Sequence, residues 1–153
     1  METEREYLSE YNGLMKENDE LYRNAAKAMG LSDCAFWILY LLRERDAELT
    51  QSDICSVIYM PKQTVNSSLK KLEESGYLRL FEGNDRRSKL VRLTQEGTAL
   101  AAGTVDRVLK AELRAMGGMT AEEQSVFLGL FRRYTDLLKK EMPLRERRKQ
   151  NEQ

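Results

Sequence analysis

The residues with the clearest chemical potential are three cations in the stretch FEGNDRRSKLVRLTQEG, which runs from residue 81 to residue 97. An apolar run stops at the tripeptide Gly-Asn-Asp (83–85), and these residue types favour a turn because Gly and Asn tolerate positive φ. The flanking residues alternate in the manner of two short strands, so the pattern predicts a β-hairpin. Arg86, Arg87 and Lys89 then lie at or near its tip, where a rigid hairpin would present three positive charges.

Other kinds of chemistry are poorly represented. The chain has no histidine, which excludes Ser-His and Cys-His catalytic pairs and histidine-ligated metal sites. No segment matches a P-loop or a dinucleotide-binding glycine fingerprint. The carboxylate pairs Glu73-Glu74 and Glu122-Glu123 are adjacent in sequence, so on a helix they point in different directions. The sequence therefore predicts no enzyme, no catalytic residue, no cofactor and no metal.

Composition limits the class of protein further. At 153 residues the chain suits one domain, or one domain with an oligomerisation element. It holds 25 basic and 25 acidic residues, so only the distribution of charge can indicate a partner. No window approaches roughly 18 apolar residues, and the acidic N-terminus lacks the apolar region of a signal peptide. We therefore expect no membrane partner, and a cytoplasmic protein whose two cysteines are reduced.

Most of the chain is predicted to be helical. Residues 5–29 have apolar side chains at spacings of three, four and seven, which is typical of an amphipathic helix. Gly30 ends that helix, and Ser32 suits the N-cap of a second one. The second helix, DCAFWILYLLRER, is apolar nearly all round, so we expect it to be buried.

The next segment predicts two short helices joined by a tight connection at residues 59–60. Thr50-x-x-Asp53 resembles a capping box for the first helix, Pro61 suits the first turn of the second, and Gly76 closes it. Apolar residues recur at helical spacing in both helices, at Ile54, Val57, Ile58, Val65, Leu69 and Leu72. Their opposed apolar faces predict a helix-turn-helix.

The second of these helices leaves a distinctive set of side chains for solvent. They are hydrogen-bonding or cationic, and they are Lys62, Gln63, Thr64, Asn66, Ser67, Lys70 and Lys71. These residue types read base edges and hold phosphates in a DNA major groove. A soluble helix surface that happens to lack glutamate explains the same pattern, so the helix alone leaves both interpretations open.

The hairpin and the charge distribution favour DNA. Residues 77–81 and 89–93 alternate and can cover a core. The side chains available for this are Leu78 and Leu80 on one strand, and Leu90 or Val91 with Leu93 on the other. Residues 61–92 hold eight bases and four acids, a net charge of +4, whereas residues 1–30 hold seven acids and four bases, a net charge of −3. Such segregation in a neutral chain is typical of a nucleic-acid face.

The stretch SGYLRLFEGNDRRSKLVRLTQEG resembles the wing of MarR-type winged helix-turn-helix regulators. The family signature is Asp-x-Arg, a short strand, then Leu-Thr-x-x-Gly, and the matching positions are Asp85, Arg87, Leu93, Thr94 and Gly97. LTQSDICSVI and QTVNSSLKKLEESGYLRL resemble the two preceding helices of the family, and the likeness extends over most of the chain. It implies a mainly α fold with a small β-hairpin wing (α+β), in which terminal helices form a dimerisation region.

The resemblance also implies roles for single residues. Arg87 would enter the minor groove with Asp85 as its support, while Arg86 and Lys89 would make backbone or wing contacts. A narrow minor groove concentrates negative potential, which favours an inserted guanidinium. The alternative is a turn salt bridge between Asp85 and Arg87, worth about 0–1 kcal/mol when exposed. The other expected contacts are to bases from Gln63, Thr64, Asn66 and Ser67, and to phosphates from Lys62, Lys70, Thr50, Gln51 and Ser52.

The remaining helices indicate assembly. We expect a long helix from Thr94 to about Met116, a break at residues 117–118, and a last helix capped by Thr120-x-x-Glu123. The last helix has a wide apolar stripe formed by Val126, Phe127, Leu130, Phe131, Tyr134, Leu137, Leu138 and Met142, before Pro143. Such a stripe needs a partner, and we expect a homodimer; packing within one monomer is the alternative. The predicted organisation is dimerisation helices at 1–30 and 118–145, a winged helix-turn-helix at 31–94, a connecting helix at 95–117 and a flexible tail at 146–153.

MarR-type proteins commonly bind a small, often aromatic effector between the dimerisation helices and the DNA-binding lobe. The side chains that could line such a cleft are Tyr11, Met15, Trp37, Tyr40 and Tyr59, although each also suits an ordinary core. Cys34 lies near a helix N-terminus, which would lower the pKa of its thiol, and Cys55 is expected to be buried.

Two functions from different classes follow. The first is a homodimeric transcriptional regulator, a repressor by family habit, that binds a pseudo-palindromic operator and is released by a small effector. The second is a winged-helix module that binds a protein. Such a module has no reason to keep five cations on one face, namely Lys62, Lys70, Arg86, Arg87 and Lys89.

Overall fold

The computed structural model describes residues 2–45, 47–83 and 88–142, and within them it has seven helices and three short strands. In chain order they are α1 (Glu2–Ala28), α2 (Asp33–Glu44), β1 (Leu49–Thr50), α3 (Gln51–Val57), α4 (Lys62–Glu74), β2 (Leu78–Glu82), β3 (Lys89–Leu93), α5 (Gln95–Gly103), α6 (Val105–Gly117) and α7 (Ala121–Glu141). The predicted mainly α fold with a small β-hairpin is confirmed. The chain divides into two compact units, residues 1–111 and 112–153.

The junction between α1 and α2 follows the predicted local signals. Gly30 has a φ of 70°, in the left-handed region that glycine adopts without steric cost. The amide of Leu31 donates to the carbonyl of Ala26 at 3.0 Å, which completes a Schellman-type end to α1. The hydroxyl of Ser32 then accepts a hydrogen bond from the amide of Ala35 at 3.2 Å and caps α2.

α2 is the central helix of the first unit, as its apolar sequence predicted. Phe36, Ile38 and Leu39 are completely buried. One side of the helix packs with α3, α4 and the sheet, and the other packs with Ala26, Ala101 and the start of α6. Within the described residues no single helix is long and apolar enough to cross a membrane; α1 and α2 taken together, across a 96° bend, pass that test by length and composition alone.

α3 and α4 form the predicted helix-turn-helix. The hydroxyl of Thr50 accepts from the Asp53 amide at 3.0 Å, and the Asp53 carboxylate accepts from the Thr50 amide at 2.9 Å, so the capping box is confirmed. Pro61, expected in the first turn of α4, is instead its N-cap, because its backbone is extended (ψ 135°). Gly76 ends α4 with a φ of 82°. The predicted inner face of α4 is buried, at Val65, Leu69 and Leu72.

The sheet is antiparallel with the strand order β1-β3-β2. The first hairpin strand begins one residue later than predicted, and Leu80 is paired with Val91. Val91 rather than Leu90 is the buried member of β3. The sequence did not predict β1, in which Leu49 pairs with Val91 and continues the core across the sheet.

The prediction of a single long helix between residues 94 and 116 is wrong. It is interrupted at Thr104, whose backbone has φ −125° and ψ −95°. The Thr104 hydroxyl donates to the carbonyl of Leu100 at 2.6 Å, and the preceding Gly103 is a weak helix former. The interruption separates α5 from α6 while Ala101 and Val105 remain completely buried in one cluster.

The second unit is dominated by α7. Thr120 and Glu123 form the predicted capping box, with hydrogen bonds of 3.2 and 2.7 Å. None of the described residues of α7 is buried, and Phe127 and Leu130 in its apolar stripe are 50% and 60% exposed. Pro143 and the predicted tail at 146–153 lie outside the described residues.

Candidate nucleic-acid interface

Three elements meet around a groove in the first unit, which we call the α3–α4–β3 groove. It has a volume of about 340 Å³, and it is lined by Gln51, Ser52, Cys55, Lys62, Asn66, Ser88 and Lys89. The capping box fixes the start of α3, Pro61 fixes the start of α4, and the sheet fixes the start of β3. Five of the lining residues had been predicted as DNA contacts, although they are spread over almost 40 positions in the sequence.

A hydrogen-bond network inside this groove was not predicted. The side-chain nitrogen Nε2 of Gln51 donates to Oδ1 of Asn66 at 2.9 Å, and the thiol of Cys55 donates to the same oxygen at 3.3 Å. Asn66, expected to be exposed, is therefore only partly exposed and held across the helix-turn-helix. Polar residue types gave no signal for this, because residues 51 and 66 come together only through the packing of α3 on α4.

The other predicted base-facing residues lie on an adjacent side of α4. Gln63, Thr64 and Ser67 are exposed and line a second cavity of about 620 Å³, together with Lys71 and the start of α2. The expected reading surface of α4 is therefore divided. Asn66 belongs to the α3–α4–β3 groove, and the remaining three residues belong to the neighbouring cavity.

The cations of this region differ in their surroundings. Lys62 and Lys89 are exposed at the α3–α4–β3 groove. Lys70 lies 4.0 Å from Glu74 in a solvent-exposed pair, which is a weak interaction. Arg92 forms an ion pair with Glu48 and also lies 5.1 Å above the ring of Phe81. Arg92 thus stabilises the sheet. Counting Arg92 in the net charge of residues 61–92 therefore overstates the positive charge that is available for a nucleic-acid partner.

The base of the wing is held by the Leu-Thr-x-x-Gly part of the motif. The amide of Thr94 donates to the carbonyl of Tyr77 at 3.0 Å, and its hydroxyl donates to the carbonyl of Gly76 at 2.5 Å. The same hydroxyl accepts from the amide of Gly97 at 3.0 Å, and so caps α5. The predicted wing-tip contacts Asp85, Arg86 and Arg87 lie outside the described residues.

The two thiols are less acidic than ordinary cysteines. Cys34 is buried, and burial raises the pKa of its thiol despite a hydrogen bond from Ser68 that acts in the opposite direction. The expected lowering by the helix N-terminus is therefore wrong, because desolvation of the thiolate outweighs it. Burial also raises the pKa of the Cys55 thiol, while Lys62 opposes this shift. Cys55, expected to be buried, is partly exposed.

The predicted effector residues are only partly brought together. The rings of Trp37 and Tyr40 lie 5.2 Å apart, and Tyr22, which is not among the predicted effector residues, lies 5.1 Å from Trp37. Tyr59 is fully exposed between α3 and α4 (103%), so it closes no cleft within the described part of the chain. Of the two predicted residues on α1, Tyr11 is partly exposed and Met15 is exposed.

Comparison with known proteins identifies relatives of this architecture. The model of the MarR family matches residues 29–88. An uncharacterized HTH-type transcriptional regulator of Bacillus subtilis, YwoH, is 31% identical over 119 residues, which cover 78% of this chain and 82% of that protein.

Three solved structures share the fold. NMB1585, a MarR family regulator from Neisseria meningitidis, has a TM-score of 0.73 at 22% identity and covers 88% of this chain and 94% of its own. MepR of S. aureus, solved in complex with DNA, has a TM-score of 0.65 at 19% identity, covering 86% and 97%. BpsR of Bordetella bronchiseptica, whose DNA binding is regulated by 6-hydroxynicotinic acid, has a TM-score of 0.59 at 21% identity, covering 82% and 98%.

Proposed function

The chain belongs to the MarR family of transcriptional regulators, and from this we propose that it binds a pseudo-palindromic operator as a homodimer and represses transcription. Members of the family are DNA-binding regulators rather than enzymes. A bound repressor acts by occupying the operator, so we place this chain in the cytoplasm together with its DNA. A small effector would release it.

The observation that carries the proposal is the α3–α4–β3 groove. It combines exposed lysines from two elements, Lys62 and Lys89, with the amide side chain of Asn66. Lysine ammonium groups hold phosphates, and amides read base edges. This combination suits a helix placed in the major groove with a wing beside it. MepR, which shares the fold, has been solved with DNA.

The wing completes the proposed contact. Arg87 is proposed to enter the minor groove with Asp85 as its support, as the Asp-x-Arg motif implies. The Thr94 hydrogen bonds and the close packing of Gly97 support this role, since they fix the base of the hairpin that would carry Arg87. A rigid base reduces the conformational entropy that insertion would otherwise cost.

The homodimer is supported by apolar surface that each unit leaves open. In the first unit, α1 has a single buried residue, Ala26, while Tyr7, Leu14 and Leu21 are all at least 60% exposed. In the second unit, α7 has no buried residue among those described. Apolar surface on this scale is typical of an interface. A two-fold dimer would present its α4 helices to half-sites about 34 Å apart.

The proposed effector site lies at aromatic residues of α1 and α2. BpsR, which shares the fold, is regulated by 6-hydroxynicotinic acid. The aromatic rings of Trp37 and Tyr40 could stack on a ligand of that type, with Tyr11 and Met15 of α1 as further lining residues. An effector that binds better to the free protein than to the DNA-bound form would shift the population away from the operator.

The experiment that tests the proposal is a selection from random duplex DNA, followed by titrations at two or more salt concentrations. We expect a two-fold-symmetric motif whose recovery is reduced in Arg87→Ala. Lys62→Gln should weaken binding to all selected sequences alike. It should also reduce the log–log salt slope by about 0.9 for each phosphate that the variant no longer neutralises, hence about 1.8 for two protomers. Lys27→Gln, which removes an exposed cation at the end of α1, is the matched control and should leave affinity unchanged.

Other results would favour the alternative function. Selection of no motif, with binding unaffected by Arg87→Ala, would indicate a winged-helix module that binds a protein. The effector step is tested separately by adding 6-hydroxynicotinic acid and related hydroxylated aromatic acids to the preformed complex. DNA binding that none of these compounds weakens would remove the effector from the proposal and leave the operator intact.

A further inference from the structure

The side chain of Asn66 is anchored at one end only. Its oxygen Oδ1 receives two hydrogen bonds, from Gln51 Nε2 at 2.9 Å and from the Cys55 thiol at 3.3 Å. Within the described part of the chain no hydrogen bond engages its nitrogen Nδ2. Because the amide is planar, fixing Oδ1 also fixes the direction of Nδ2, so the donor end of this side chain is the end left for a partner.

The acceptor capacity of Asn66 is already used. An amide oxygen has two lone pairs, and the two donors from α3 occupy both. Cys55 is able to donate because burial raises the pKa of its thiol and keeps the proton on sulfur near neutral pH. All three residues line the α3–α4–β3 groove, so the restriction applies at the surface where DNA is proposed to bind.

We propose that Asn66 is a specificity-determining residue that recognises a base acceptor, and that Gln51 and Cys55 are positioning residues that prevent its usual pairing with adenine. An unrestrained asparagine pairs with adenine through two bonds, donating to N7 and accepting from the N6 amino group. With Oδ1 occupied, the second bond is unavailable. In the major groove guanine presents two acceptors, O6 and N7, and thymine presents O4. Adenine presents one acceptor, N7, beside the N6 donor, and cytosine presents a donor, so a side chain that can only donate favours guanine or thymine.

This inference rests on the proposed DNA-binding function and adds a rule for one base position. Gln51 takes a different role from the phosphate contact suggested by its place at the start of α3. Its bond to Asn66 joins the first turn of α3 to the middle of α4, so a change at residue 51 is expected to alter which base residue 66 selects.

The test compares base preferences selected from random duplex DNA by the wild type and four variants. Asn66→Ala should flatten the preference at one base pair of each half-site, where the contacted base is guanine or thymine. The expected loss is about fivefold, the lower end for a bidentate contact, because Asn66 can only donate. Asn66→Asp keeps the shape and the bonds from α3 but presents an acceptor, so the preference at that position should change to cytosine or adenine. Gln51→Glu should turn the Asn66 amide around and cause the same change.

Ser56→Ala is the matched control on α3. Its hydroxyl donates to the carbonyl of Asp53, at 2.8 Å, and Ser56 is not among the residues that line the groove, so the selected motif should be unchanged. Circular dichroism and thermal melting of each variant separate a change in preference from loss of folding. If one variant fails to fold, either of the other two still tests the position.

Three results would overturn the inference. One is an Asn66-sensitive A·T pair at which replacing adenine by purine, which lacks the N6 amino group, weakens wild-type binding, because that loss would show Oδ1 accepting from N6. Another is a motif that neither Asn66→Ala nor Asn66→Asp alters, which would leave the proposed function standing and remove Asn66 from it. If the wild type selects no motif at all, the proposed function fails and this inference fails with it.

Discussion

Gly97 and Tyr77 are packed backbone against backbone. A Cβ atom on Gly97 would overlap the carbonyl oxygen of Tyr77, and it would lie 2.9 Å from the carbonyl carbon and 3.1 Å from Cδ2 of Leu93. The same Tyr77 oxygen accepts the hydrogen bond from the Thr94 amide. Glycine is therefore required at residue 97 by close approach, which allows the first turn of α5 to rest on the start of the wing.

Gly97→Ala should destabilise the fold. The added methyl group must displace backbone atoms, and overpacking of this kind costs about 1–3 kcal/mol, occasionally more. Urea denaturation at a fixed protein concentration would measure this change in the free energy of unfolding. Gly103→Ala on the same helix is the control, because its Cβ would meet nothing within 4 Å. It should be neutral or stabilising by up to about 1 kcal/mol. Equal stability of the two variants would contradict the close-packing explanation.

The ion pair between Arg43 and Asp106 should make stability depend on pH. Nε and Nη2 of Arg43 lie 2.8 and 2.7 Å from the two carboxylate oxygens of Asp106. These hydrogen bonds from Arg43 hold the pKa of Asp106 below its ordinary value, with burial acting in the opposite direction. A lowered folded-state pKa stabilises the fold above the ordinary aspartate pKa of about 3.9, and this contribution disappears as pH falls through the lowered value.

Asp106→Asn should therefore reduce the free energy of unfolding at pH 7 by about 1 kcal/mol, the upper end for a partly exposed pair. The difference from the wild type should shrink as the pH falls below the ordinary aspartate pKa of about 3.9. Glu74→Gln removes the same charge from the exposed Lys70 pair and should cost less. A deficit for Asp106→Asn that stays constant between pH 7 and pH 3 would show that ionisation is not its cause.

The parts of the fold that the sequence predicted are those determined by neighbouring residues. The Ser32 cap, the capping boxes at Thr50 and Thr120, and the glycine ends at Gly30 and Gly76 all depend on residues within a few positions of one another. The buried faces of α2 and α4 follow from spacing in the same way. Each of these features is in the structure where it was predicted.

The features that the sequence did not predict depend on tertiary packing. β1 has two residues, and its partner strand lies about 40 positions downstream, so no local pattern marks it. The break at Thr104 lies inside a segment whose apolar spacing suits one continuous helix, and the weak helix former Gly103 was not sufficient to indicate it. The raised pKa of Cys34 depends on packing, because burial overrides the local effect of the helix N-terminus.

The residue types of the candidate site were predictable from the sequence, but the hydrogen bonds between its side chains were not. Polar and cationic residues on the outer face of α4 indicated a DNA-reading helix. Which of them are free for a partner is decided by α3, whose residue Gln51 engages Asn66. Along the sequence Gln63 and Asn66 look equivalent, and the structure separates them into two neighbouring cavities.

The thiols should react slowly and in a fixed order. Burial raises the pKa of both, and Cys34 is the more deeply buried. Reaction requires the thiolate, so at pH 7 we expect both to react more slowly than a free thiol, with Cys55 before Cys34. The reagent is dithionitrobenzoate, and Cys34→Ser and Cys55→Ser assign the two phases. Faster reaction of Cys34 in the native protein, with both thiols equally fast in urea, would contradict the assignment.

The apolar face of α7 should be essential for the homodimer. Leu130 is 60% exposed in the isolated chain and lies in the centre of the stripe. In a dimer its replacement by glutamate would bury an unpaired carboxylate, which costs several kcal/mol. We expect Leu130→Glu to behave as a monomer with the 17.8 kDa mass of one chain, and the wild type to have twice that mass. Size-exclusion chromatography with light scattering distinguishes the two.

The control for this variant is Ser125→Glu. Residue 125 is exposed on α7, and by helical spacing it lies on the side opposite the apolar stripe, so the same substitution there should leave the dimer intact. The Leu130→Glu monomer should retain its helical circular dichroism, because α7 has no buried residue among those described. It should also bind a single half-site with far lower affinity than the dimer binds two. A Leu130→Glu variant that still has the mass of two chains would place the dimer interface elsewhere.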